Sequence, residues 1–377
     1  MRIVINALQY KQKSSGIGVM IRELFEPFTH ITGRDCLVVL PGDGPEFEGG
    51  SRTETVRSSC RHDQGLRRIW FQSFRLGSLY CRDSLLLTTD SKVPFLLPKS
   101  CRVLPLITDL AVYRMKAVYQ PSRVLLWRLQ YAWLKRRADF YLAVSEFTKR
   151  DMTEVFGIPP EKIRVVPCSA SEHIQPVQEE AALDALREKY GLPRHFVLFV
   201  GNNNPRKNLA RMIRAFDLAK TEGQLDQELV IAGEQGWRFD REQALDGISC
   251  KEAVRFIGFV PDEDMPALYS AADLFVFPTL YEGFGIPVIE AQRCLTPVLA
   301  GKYTALPETG GDGAVYVDPY SQEDICRGIR EILEDPELAA ELVRRGTANA
   351  RRFSWEASAR RLNQILEEEV FASGGEM

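Results

Sequence analysis

The chain has 377 residues, of which 45% are hydrophobic and 26% charged, and its formal net charge at pH 7 is −3. This length predicts about two domains, and the composition is that of a globular protein, which excludes a disordered chain. No stretch reaches about 18 uninterrupted apolar residues, so the sequence predicts no helix that spans a bilayer. The amino terminus, MRIVINALQY, has no cleavage-like site and is predicted to be a strand, not a signal peptide.

The eight cysteines and four histidines are scattered, and no two cysteines form a C-x-x-C pair. This distribution argues against a disulfide framework and a zinc cluster, and it indicates a reducing cytoplasm. The charges are divided unevenly: residues 1–180 hold 26 basic and 19 acidic side chains, and the remainder holds 22 and 32. A basic half is typical of proteins that meet phosphates or anionic membranes, and a solvated face explains it equally well.

In the first half, short apolar runs alternate with loops and helices, and their lack of polar alternation predicts strands buried on both faces. The predicted strands are 2–8, 36–41, 84–89, 102–108 and 140–144. The polar, glycine-rich residues 42–68 predict a long loop. Residues 121–137 predict a helix that starts at proline and is apolar around most of its circumference. We expect it in the core with a basic end, the alternative being a helix on anionic lipid.

The second half repeats the pattern more cleanly, and alternating strands and helices predict a doubly wound parallel sheet. The predicted strands are 195–201, 228–233, 254–260, 274–278, 297–300 and 314–318. The polar, strandless residues 168–182 are the candidate hinge. We therefore expect an α/β fold with domains at 1–175 and 176–353, and an amphipathic helix that opens at Ser354 within 354–377.

The segment GNNNPRKNL (201–209) follows a predicted strand and precedes a predicted helix. Asn208 is a candidate N-cap, which places Arg206 and Lys207 beside the positive end of that helix. An anion is favoured there both by the helix dipole and by two cationic side chains. The segment therefore predicts a phosphate site, against the alternative of a basic pair on a solvated loop.

Two glutamates flank the turn that follows the predicted strand 274–278. Glu282 precedes Gly283 and Gly285, where the backbone can approach a ligand closely, and Pro287 predicts that Glu290 lies in the first helical turn. Together with Arg206 and Lys207, these carboxylates suit a sugar nucleotide: cations for its diphosphate, carboxylates for its hydroxyls. The alternative is that Glu290 only complements the helix dipole and Glu282 is solvated.

Three further motifs are weaker. SSGIGVMIREL (14–24) contains G-x-G at Gly16 and Gly18 but lacks the third glycine and the acidic residue of a dinucleotide fingerprint, which argues against an NAD dehydrogenase. Asp109, after a strand, is a candidate acceptor or catalytic contact, or else a turn cap. Residues 262–264 match a D-x-D metal signature, but Asp262 is better explained as an N-cap.

Taken together, these segments resemble the retaining glycosyltransferases of family 4, the group-1 transferases. The matching segments are SGIGVMIREL, LAVSEFTKRDMTEVFGIPPEKIRVVP (142–167), VGNNNPRKNL, VIAGE (230–234), FIGFVPDEDMPALYSAADLFVFPTLYEGFGIPVIEA (256–291) and FSWE (353–356). The resemblance implies the GT-B architecture, in which two Rossmann-like domains face a cleft and the last helix crosses back onto the first domain. It also implies a nucleotide-diphosphate sugar as substrate, and no metal or other cofactor.

The resemblance also implies roles. Arg206 and Lys207 would hold the donor diphosphate, and Glu290 the ribose hydroxyls. Glu282 would hold the transferred sugar against the acceptor, with the backbone of Gly283, Phe284 and Gly285, and we count Arg206, Lys207 and Glu282 as the catalytic set. Gly16 and Gly18 would bring a loop to the phosphates; the remaining donor-binding candidates are Gly201 and Val260.

The sequence departs from the family at Thr108-Asp109, where many members have His-Asp, which leaves the acceptor-side role of these two residues open. A second departure is Cys168-Ser169-Ala170, where many members have Asn-Gly-Val, and it leaves the usual hinge geometry open. The expected activity is sugar transfer to a growing, lipid-linked bacterial glycan, with GDP-mannose the preferred donor. The expected location is the cytoplasm, peripheral to the inner face of the membrane. The alternatives are a non-catalytic GT-B partner subunit and a sugar-nucleotide epimerase.

Overall fold

The chain divides into two units, each built on one parallel sheet. A computed structural model describes residues 1–11, 16–61, 65–89, 93–223, 225–234, 236 and 239–372. Unit 1 comprises Met1–Cys168 and Ser354–Met377, and unit 2 comprises Ser169–Phe353. The division falls at Cys168, and the next residues contact unit 2: Arg293 donates to the carbonyls of Ala170 and Ser171 and to the Ser169 hydroxyl.

The sheet of unit 1 has seven strands in the order β3-β2-β1-β4-β5-β6-β7, and every pairing is parallel. Its strands are β1 (Arg2–Asn6), β2 (Cys36–Leu40), β3 (Thr53–Arg57), β4 (Ser84–Thr88), β5 (Arg102–Ile107), β6 (Tyr141–Ala143) and β7 (Ile163–Val165). All residues of β2 and β4 are buried, as expected for strands covered on both faces.

The sheet of unit 2 has six parallel strands in the order β10-β9-β8-β11-β12-β13. Its strands are β8 (Phe196–Val200), β9 (Glu228–Ala232), β10 (Val254–Gly258), β11 (Leu274–Phe277), β12 (Val298–Gly301) and β13 (Val315–Val317). The predicted fold class, two doubly wound parallel sheets with helices, is confirmed.

Helices connect the strands in both units. In chain order they are α1 (Gly16–Met20), α2 (Glu26–Ile31), α3 (Gly65–Trp70), α4 (Leu76–Tyr80), α5 (Ala111–Arg114), α6 (Pro121–Arg137), α7 (Glu146–Phe156), α8 (Glu180–Tyr190), α9 (Leu209–Gly223), α10 (Arg241–Leu245), α11 (Met265–Ser270), α12 (Ile286–Arg293), α13 (Leu306–Gly310), α14 (Gln322–Leu333), α15 (Pro336–Ala350) and α16 (Trp355–Ile365). Shorter π and 3-10 segments are Ile21–Phe25, Phe71–Arg75, Lys116–Val118, Pro160–Lys162, Pro205–Lys207, Lys251–Ala253, Gly311–Gly313 and Leu366–Phe371.

Local sequence signals set several helix ends. Ser145 caps α7, where its side chain accepts from the Thr148 amide, and α7 stops at Gly157 in the left-handed conformation. Ser354 caps α16 by accepting from the Ala357 amide, so the predicted start of the last helix is confirmed. None of the helices within the described ranges is long and apolar enough to cross a membrane.

Two predictions about unit 1 were wrong. Residues 42–68 are not all loop, because the polar edge strand β3 lies among them; its residues are exposed or only half-buried. The helix 121–137 has the predicted bounds, but it is not a core helix. Most of its described side chains are exposed or half-buried, including Leu125, Leu126 and Leu129.

Candidate functional site

The candidate site lies in unit 2, where β8 and β11 end side by side. These strands are neighbours, and the strand order reverses between them, which is where open α/β sheets bind ligands. The turn after β8 (201–208) and the loop after β11 (278–285) are therefore brought together. One backbone hydrogen bond joins them, from the Leu280 amide to the Arg206 carbonyl at 2.9 Å.

Two glycines allow the turn after β8 to lie close to its neighbour. Gly201 and Gly233 end adjacent strands with φ of 147° and 143°, values that L side chains rarely adopt. A Cβ on Gly233 would lie 2.1 Å from the Gly201 carbonyl oxygen. Gly201, a predicted donor-binding residue, thus sits where two backbones pack directly, and the Lys207 side chain passes beside it.

The centre of the site is an ion cluster of Arg206, Lys207 and Glu282. The Arg206 guanidinium lies 2.7 Å from one carboxylate oxygen of Glu282, and the Lys207 ammonium lies 2.8 Å from the other. Arg206 also donates to the Tyr281 carbonyl at 2.7 Å, and the Lys207 ammonium lies 4.4 Å from the centroid of the Phe277 ring. Three of the residues predicted from two distant motifs are therefore in direct contact.

The cluster is held in a desolvated environment. Lys207 and Glu282 are both buried. Burial alone would raise the pKa of Glu282, but the charges of Arg206 and Lys207 outweigh it and hold that pKa below its ordinary value. Glu282 is thus ionised at neutral pH and offsets the charge of one of the two adjacent cations.

In the turn after β8, the N-cap is a different asparagine from the one predicted. Asn204, not Asn208, caps the short helical turn that carries the cations, by accepting from the Arg206 amide at 3.1 Å. Asn208 has a φ of 62° and its side-chain amide donates to the carbonyls of Pro278 and Pro319. The predicted N-cap role of Asn208 was wrong, because its side chain ties the turn to two neighbouring loops and does not reach the helix amides.

Glu290 lies on α12, which begins at Ile286, and therefore falls in the second turn and not in the first as predicted. It is half-buried, and its carboxylate accepts a hydrogen bond from the Tyr269 hydroxyl at 2.8 Å. Burial raises the pKa of Glu290 to about 7, although the Tyr269 hydrogen bond acts in the opposite direction. Glu290 is therefore a carboxylate that titrates near neutral pH.

The loop between the two glutamates is anchored on both sides. Gly285 has a φ of 102°, which only glycine adopts readily, and it immediately precedes α12. The Thr309 hydroxyl donates to the Phe284 carbonyl at 2.7 Å, and the Phe284 ring meets Phe353 edge-on at 5.5 Å. The Glu282 amide donates to the Thr304 hydroxyl at 3.3 Å. The backbone of Gly283, Phe284 and Gly285 is thus held in one conformation.

Sequence reasoning did not find Tyr269 or Arg293. Tyr269 is fully buried and holds Glu290 from the neighbouring helix α11. Arg293, one turn after Glu290, donates to the carbonyls of Ala170, Ser171 and Phe353 and to the Ser169 hydroxyl. Arg293 therefore links residues 169–171, the first of unit 2, to Phe353, its last residue. The only sequence signal for Arg293 was its position three residues after Glu290 on the same helix, and such spacings are too common to identify a functional residue.

The remaining predicted site residues lie elsewhere. Val260 is buried, after β10. In unit 1, Gly16 opens α1 and Gly18 is buried within it, and the preceding residues 12–15 lie outside the described part. Thr108 is half-buried, and the Asp109 carboxylate accepts from the Ala111 amide at 2.9 Å, which is the turn-cap alternative.

The structure also locates the D-x-D segment (262–264) and the histidines that an epimerase would need. In the D-x-D segment, α11 begins at Met265, three residues after the predicted N-cap Asp262, and Asp264 accepts from Lys189 and from Tyr190. Of the histidines that an epimerase would need, His195 lies just before β8 and bonds Asp273, at the opposite end of the strand from the ion cluster. His62 lies outside the described residues.

This arrangement can bind a dianionic or more highly charged group. The two cations lie in the turn after the carboxyl end of β8, beside the start of α9, where charge and helix dipole both favour anions. A second carboxylate, Glu290, follows on the helix after the glycine loop. The combination suits a ligand with a diphosphate at one place and vicinal hydroxyls at another.

Comparisons with known proteins show similarity to glycosyltransferases. The family model of the group 1 glycosyl transferases matches residues 184–352, and that of Glycosyltransferase Family 4 matches residues 106–171. The chain is 35% identical over 221 residues to the O-antigen chain mannosyltransferase B of Escherichia coli. The match covers 58% of each chain, so this chain spans little more than half of that relative's length.

Solved structures share the fold at low identity. The sucrose-phosphate synthase of Thermosynechococcus elongatus superposes with a TM-score of 0.76 at 20% identity, covering 99% of both chains. Anabaena HepE, solved in complex with UDP and glucose, superposes with a TM-score of 0.75 at 16% identity, covering 97% of this chain and 99% of its own. At these identities the likeness describes the architecture alone.

Proposed function

Because the chain belongs to the group 1 glycosyltransferases of family 4, we propose that it transfers a sugar from a nucleotide-diphosphate donor to a hydroxyl of a glycan. The observation that carries this proposal is the buried cluster of Arg206, Lys207 and Glu282 at the point where the strand order of unit 2 reverses. That cluster lies within the segment matched by the group 1 family model.

In this proposal each charged residue has one task. Arg206 and Lys207 bind the donor diphosphate, and Glu290 accepts hydrogen bonds from the ribose hydroxyls. Glu282, with the fixed backbone of residues 283–285, orients the transferred sugar. Because Glu282 already pairs with both cations, the diphosphate enters a site whose donors are in place before it arrives.

The chemical step follows from this placement. As the bond between the anomeric carbon and the diphosphate oxygen lengthens, negative charge grows on the leaving diphosphate. Arg206 and Lys207 stabilise that charge more strongly than in water because their surroundings are desolvated. The acceptor hydroxyl attacks the same carbon from the face that the diphosphate leaves and gives its proton to the departing diphosphate oxygen, and exclusion of water limits hydrolysis of the donor.

The finer points of the proposal are retention at the anomeric carbon and independence of metal. Both rest on the family resemblance. Two cations next to the diphosphate supply charge of the kind that a divalent ion supplies in other transferases. Anomeric couplings in the NMR spectrum of the product test retention, and turnover with a chelator present tests the second point; an inverted product or loss of turnover contradicts them.

For the substrates, we propose mannose from GDP-mannose and a growing, lipid-linked bacterial glycan. The support is the similarity to an O-antigen chain mannosyltransferase. A lipid-linked acceptor places the enzyme in the cytoplasm, peripheral to the inner face of the membrane. Uridine and adenosine donors are the competing possibilities, and the same experiment distinguishes all three.

The test is thermal stabilisation of the purified protein by GDP, UDP and ADP, with and without magnesium. A ligand that binds only the folded state raises the melting temperature. We expect GDP to do so in the wild type and not in Lys207→Ala. Lys189→Ala is the matched control, because Lys189 also pairs with a carboxylate of unit 2, at 2.6 Å, and neither Lys189 nor its partner Asp264 is a predicted site residue. No shift with any nucleotide contradicts the proposal.

A further inference from the structure

Unit 1 exposes apolar side chains where a soluble surface normally hides them. Twelve large hydrophobic residues are exposed within the described ranges, and eight of them fall between residues 70 and 129. They are Trp70, Phe74, Leu79, Phe95, Leu96, Leu125, Leu126 and Leu129. Exposed apolar residues that stand singly need no explanation, but a contiguous patch marks an interaction surface.

The aromatic members of this set form one row. The rings of Trp70 and Phe74 lie 6.4 Å apart, those of Phe74 and Phe95 5.8 Å, and those of Phe95 and Trp133 6.1 Å. Trp133 is fixed by its indole N–H, which donates to the Pro94 carbonyl at 3.0 Å. The row therefore runs from α3, across the segment 93–98, to α6.

Leucines on α6 continue the row. Leu125, Leu129 and Trp133 are spaced by four residues, so they lie on one side of the helix. Leu125 is 60% exposed and Leu129 58% exposed, and at the far end of the row Trp70 is 56% exposed. We call this row, with Leu126 and Leu96, the apolar stripe. The exposure of α6 that overturned the prediction of a core helix is thus part of one continuous feature.

The sheet topology explains why these elements meet. The connections β3 to β4, through α3 and α4, and β5 to β6, through α6, both run in the same direction across the strand order. Crossovers of parallel strands are right-handed, so both connections lie on the same face of the sheet. The apolar stripe is therefore a property of that face and not of one loop.

Charge surrounds the stripe with a single sign. The segments 65–82, 93–100 and 116–137 hold eleven lysines and arginines and no aspartate or glutamate. Arg67, Arg75, Lys99, Arg128 and Arg136 are exposed. Two copies of this face packed against each other would oppose like charges, so self-association is disfavoured. Four exposed residues of the stripe, Leu96, Leu125, Leu126 and Leu129, are leucines, which insert among acyl chains but do not stack on nucleic-acid bases, so the stripe suits a lipid surface better.

We propose that this face docks on an anionic lipid bilayer. The apolar stripe inserts its leucines and tryptophans at the boundary between head groups and acyl chains, and the arginines and lysines around it contact the anionic head groups. Trp70 and Trp133 suit this position because indole rings are enriched at such boundaries. The inference concerns unit 1 alone and does not depend on the identity of the donor.

The experiment is co-sedimentation of the full chain with vesicles of phosphatidylcholine, with and without phosphatidylglycerol, at low salt and without nucleotide. We expect binding to the anionic vesicles. The charge variant Arg67→Gln/Arg75→Gln/Arg128→Gln should weaken it by about fivefold per arginine, because each basic residue near the surface contributes about that factor. The apolar variant Leu125→Ser/Leu129→Ser should weaken binding by about tenfold or more.

Matched controls lie in exposed positions away from the stripe. Arg194→Gln/Arg214→Gln/Arg351→Gln removes the same charge from unit 2, and Tyr303→Ser/Tyr320→Ser removes two exposed rings there. The melting temperature of every variant verifies that it is folded. Because the substitutions are at exposed side chains, we expect all of these temperatures to match the wild type.

Several outcomes overturn the inference. One is absence of wild-type binding to anionic vesicles, and another is equal loss in a control and in its matched variant. A concentration-dependent dimer that dissociates on Leu125→Ser/Leu129→Ser, without vesicle binding, would instead identify a second copy as the occupant. Failure of GDP to stabilise the protein leaves this test unaffected, so the two proposals fail separately.

Discussion

The two units share one plan but place their cations differently. At the strand reversal of unit 2, between β8 and β11, Arg206 and Lys207 point inward and share Glu282. At the corresponding reversal of unit 1, between β1 and β4, a neutral pair meets instead, the Asn6 amide and the Thr88 hydroxyl at 3.5 Å. The exposed basic residues Arg67, Arg75, Lys99, Arg128 and Arg136 of unit 1 lie instead on the segments that carry the apolar stripe.

This difference determines what each unit can bind. Removing one partner of a buried ion pair typically costs about 3–5 kcal/mol, whereas an exposed pair contributes about 0–1 kcal/mol. Buried cations therefore hold one small, highly charged ligand in a fixed position. Exposed cations act together on a broad anionic surface and select little among its anionic groups. The same fold thus supports a specific site in one unit and a diffuse one in the other.

The largest effect is expected for Lys207→Ala. Loss of one preorganised donor to the developing charge should lower turnover about 10²–10³-fold. The variant should remain folded because Arg206 still pairs with Glu282. Turnover with GDP-mannose measures this, with Lys189→Ala as the control. Near-normal turnover would show that the buried Lys207 contributes no more to the reaction than an exposed lysine does.

Glu282→Gln should have the next largest effect: it should lower the stability of the free protein and raise its affinity for GDP. It removes the carboxylate that pairs with both cations of the cluster, so the free protein should lose about 3 kcal/mol of unfolding free energy. The diphosphate then no longer competes with Glu282 for these cations, so GDP should bind about tenfold more tightly than to the wild type. Calorimetric titration measures the affinity.

The control for that variant is Glu228→Gln, because Glu228 pairs with Arg255 on the exposed surface of the same unit. We expect it to change stability by less than about 1 kcal/mol. Weaker GDP binding to Glu282→Gln would show that the carboxylate contacts the nucleotide itself and does not compete with it.

Glu290→Gln should change how the protein responds to pH. The pKa of Glu290 is raised from 4.5 to about 7 on folding, so the folded state holds an extra proton between these values. The resulting stability, about 3 kcal/mol at most, is complete below pH 4.5 and lost as pH rises through 7. The melting temperature of the wild type should therefore fall relative to the glutamine variant over that window.

Donor binding should depend on the same group with the opposite sign. An ionised Glu290 accepts hydroxyl hydrogen bonds more strongly than a protonated one, so GDP affinity in the wild type should rise through about pH 7. In Glu290→Gln only the rise from ionisation of the GDP terminal phosphate, whose second pKa is about 6, should remain. A pH dependence as large in the variant as in the wild type would assign the titration to another group.

The smallest effect is expected for Tyr269→Phe. The lost hydroxyl removes one hydrogen bond, at a cost of about 1 kcal/mol. The Tyr269 bond lowers the pKa of Glu290, so its removal should shift the midpoint of GDP affinity to higher pH. Tyr190→Phe, which removes a hydroxyl bonded to Asp264, is the control and should leave that midpoint unchanged.

The sequence predicted every described strand except the two edge strands of the unit 1 sheet. Eleven of the thirteen strands contain apolar runs that stand out from their surroundings. The missed strands are β3, which is a polar edge strand, and β7, which has three residues. The error at α6 has a related cause: apolar coverage normally predicts burial, and no sequence pattern states which face of a sheet will be left uncovered.

The candidate site was predictable where its residues lie in contiguous motifs. Arg206 and Lys207 sit in one turn, and Glu282 in one loop, so the sheet had only to bring two strand ends together. Tyr269 and Arg293 were missed because their roles depend on contacts between elements distant in the chain. Asn208 was assigned the wrong partner because the sequence could not show that two proline carbonyls lie closer than the helix amides.

The last helix has a consequence for the order of events during synthesis. Residues 354–372 belong to unit 1: α16 packs against α2, and Glu367 and Glu369 pair with Arg34 and Arg164. On the ribosome, unit 2 has all of its residues once Phe353 has emerged, while unit 1, begun first, still lacks a helix. Domains usually mature from the amino terminus onward. Here unit 2, in the middle of the chain, can complete its folding before unit 1, which contains the amino terminus.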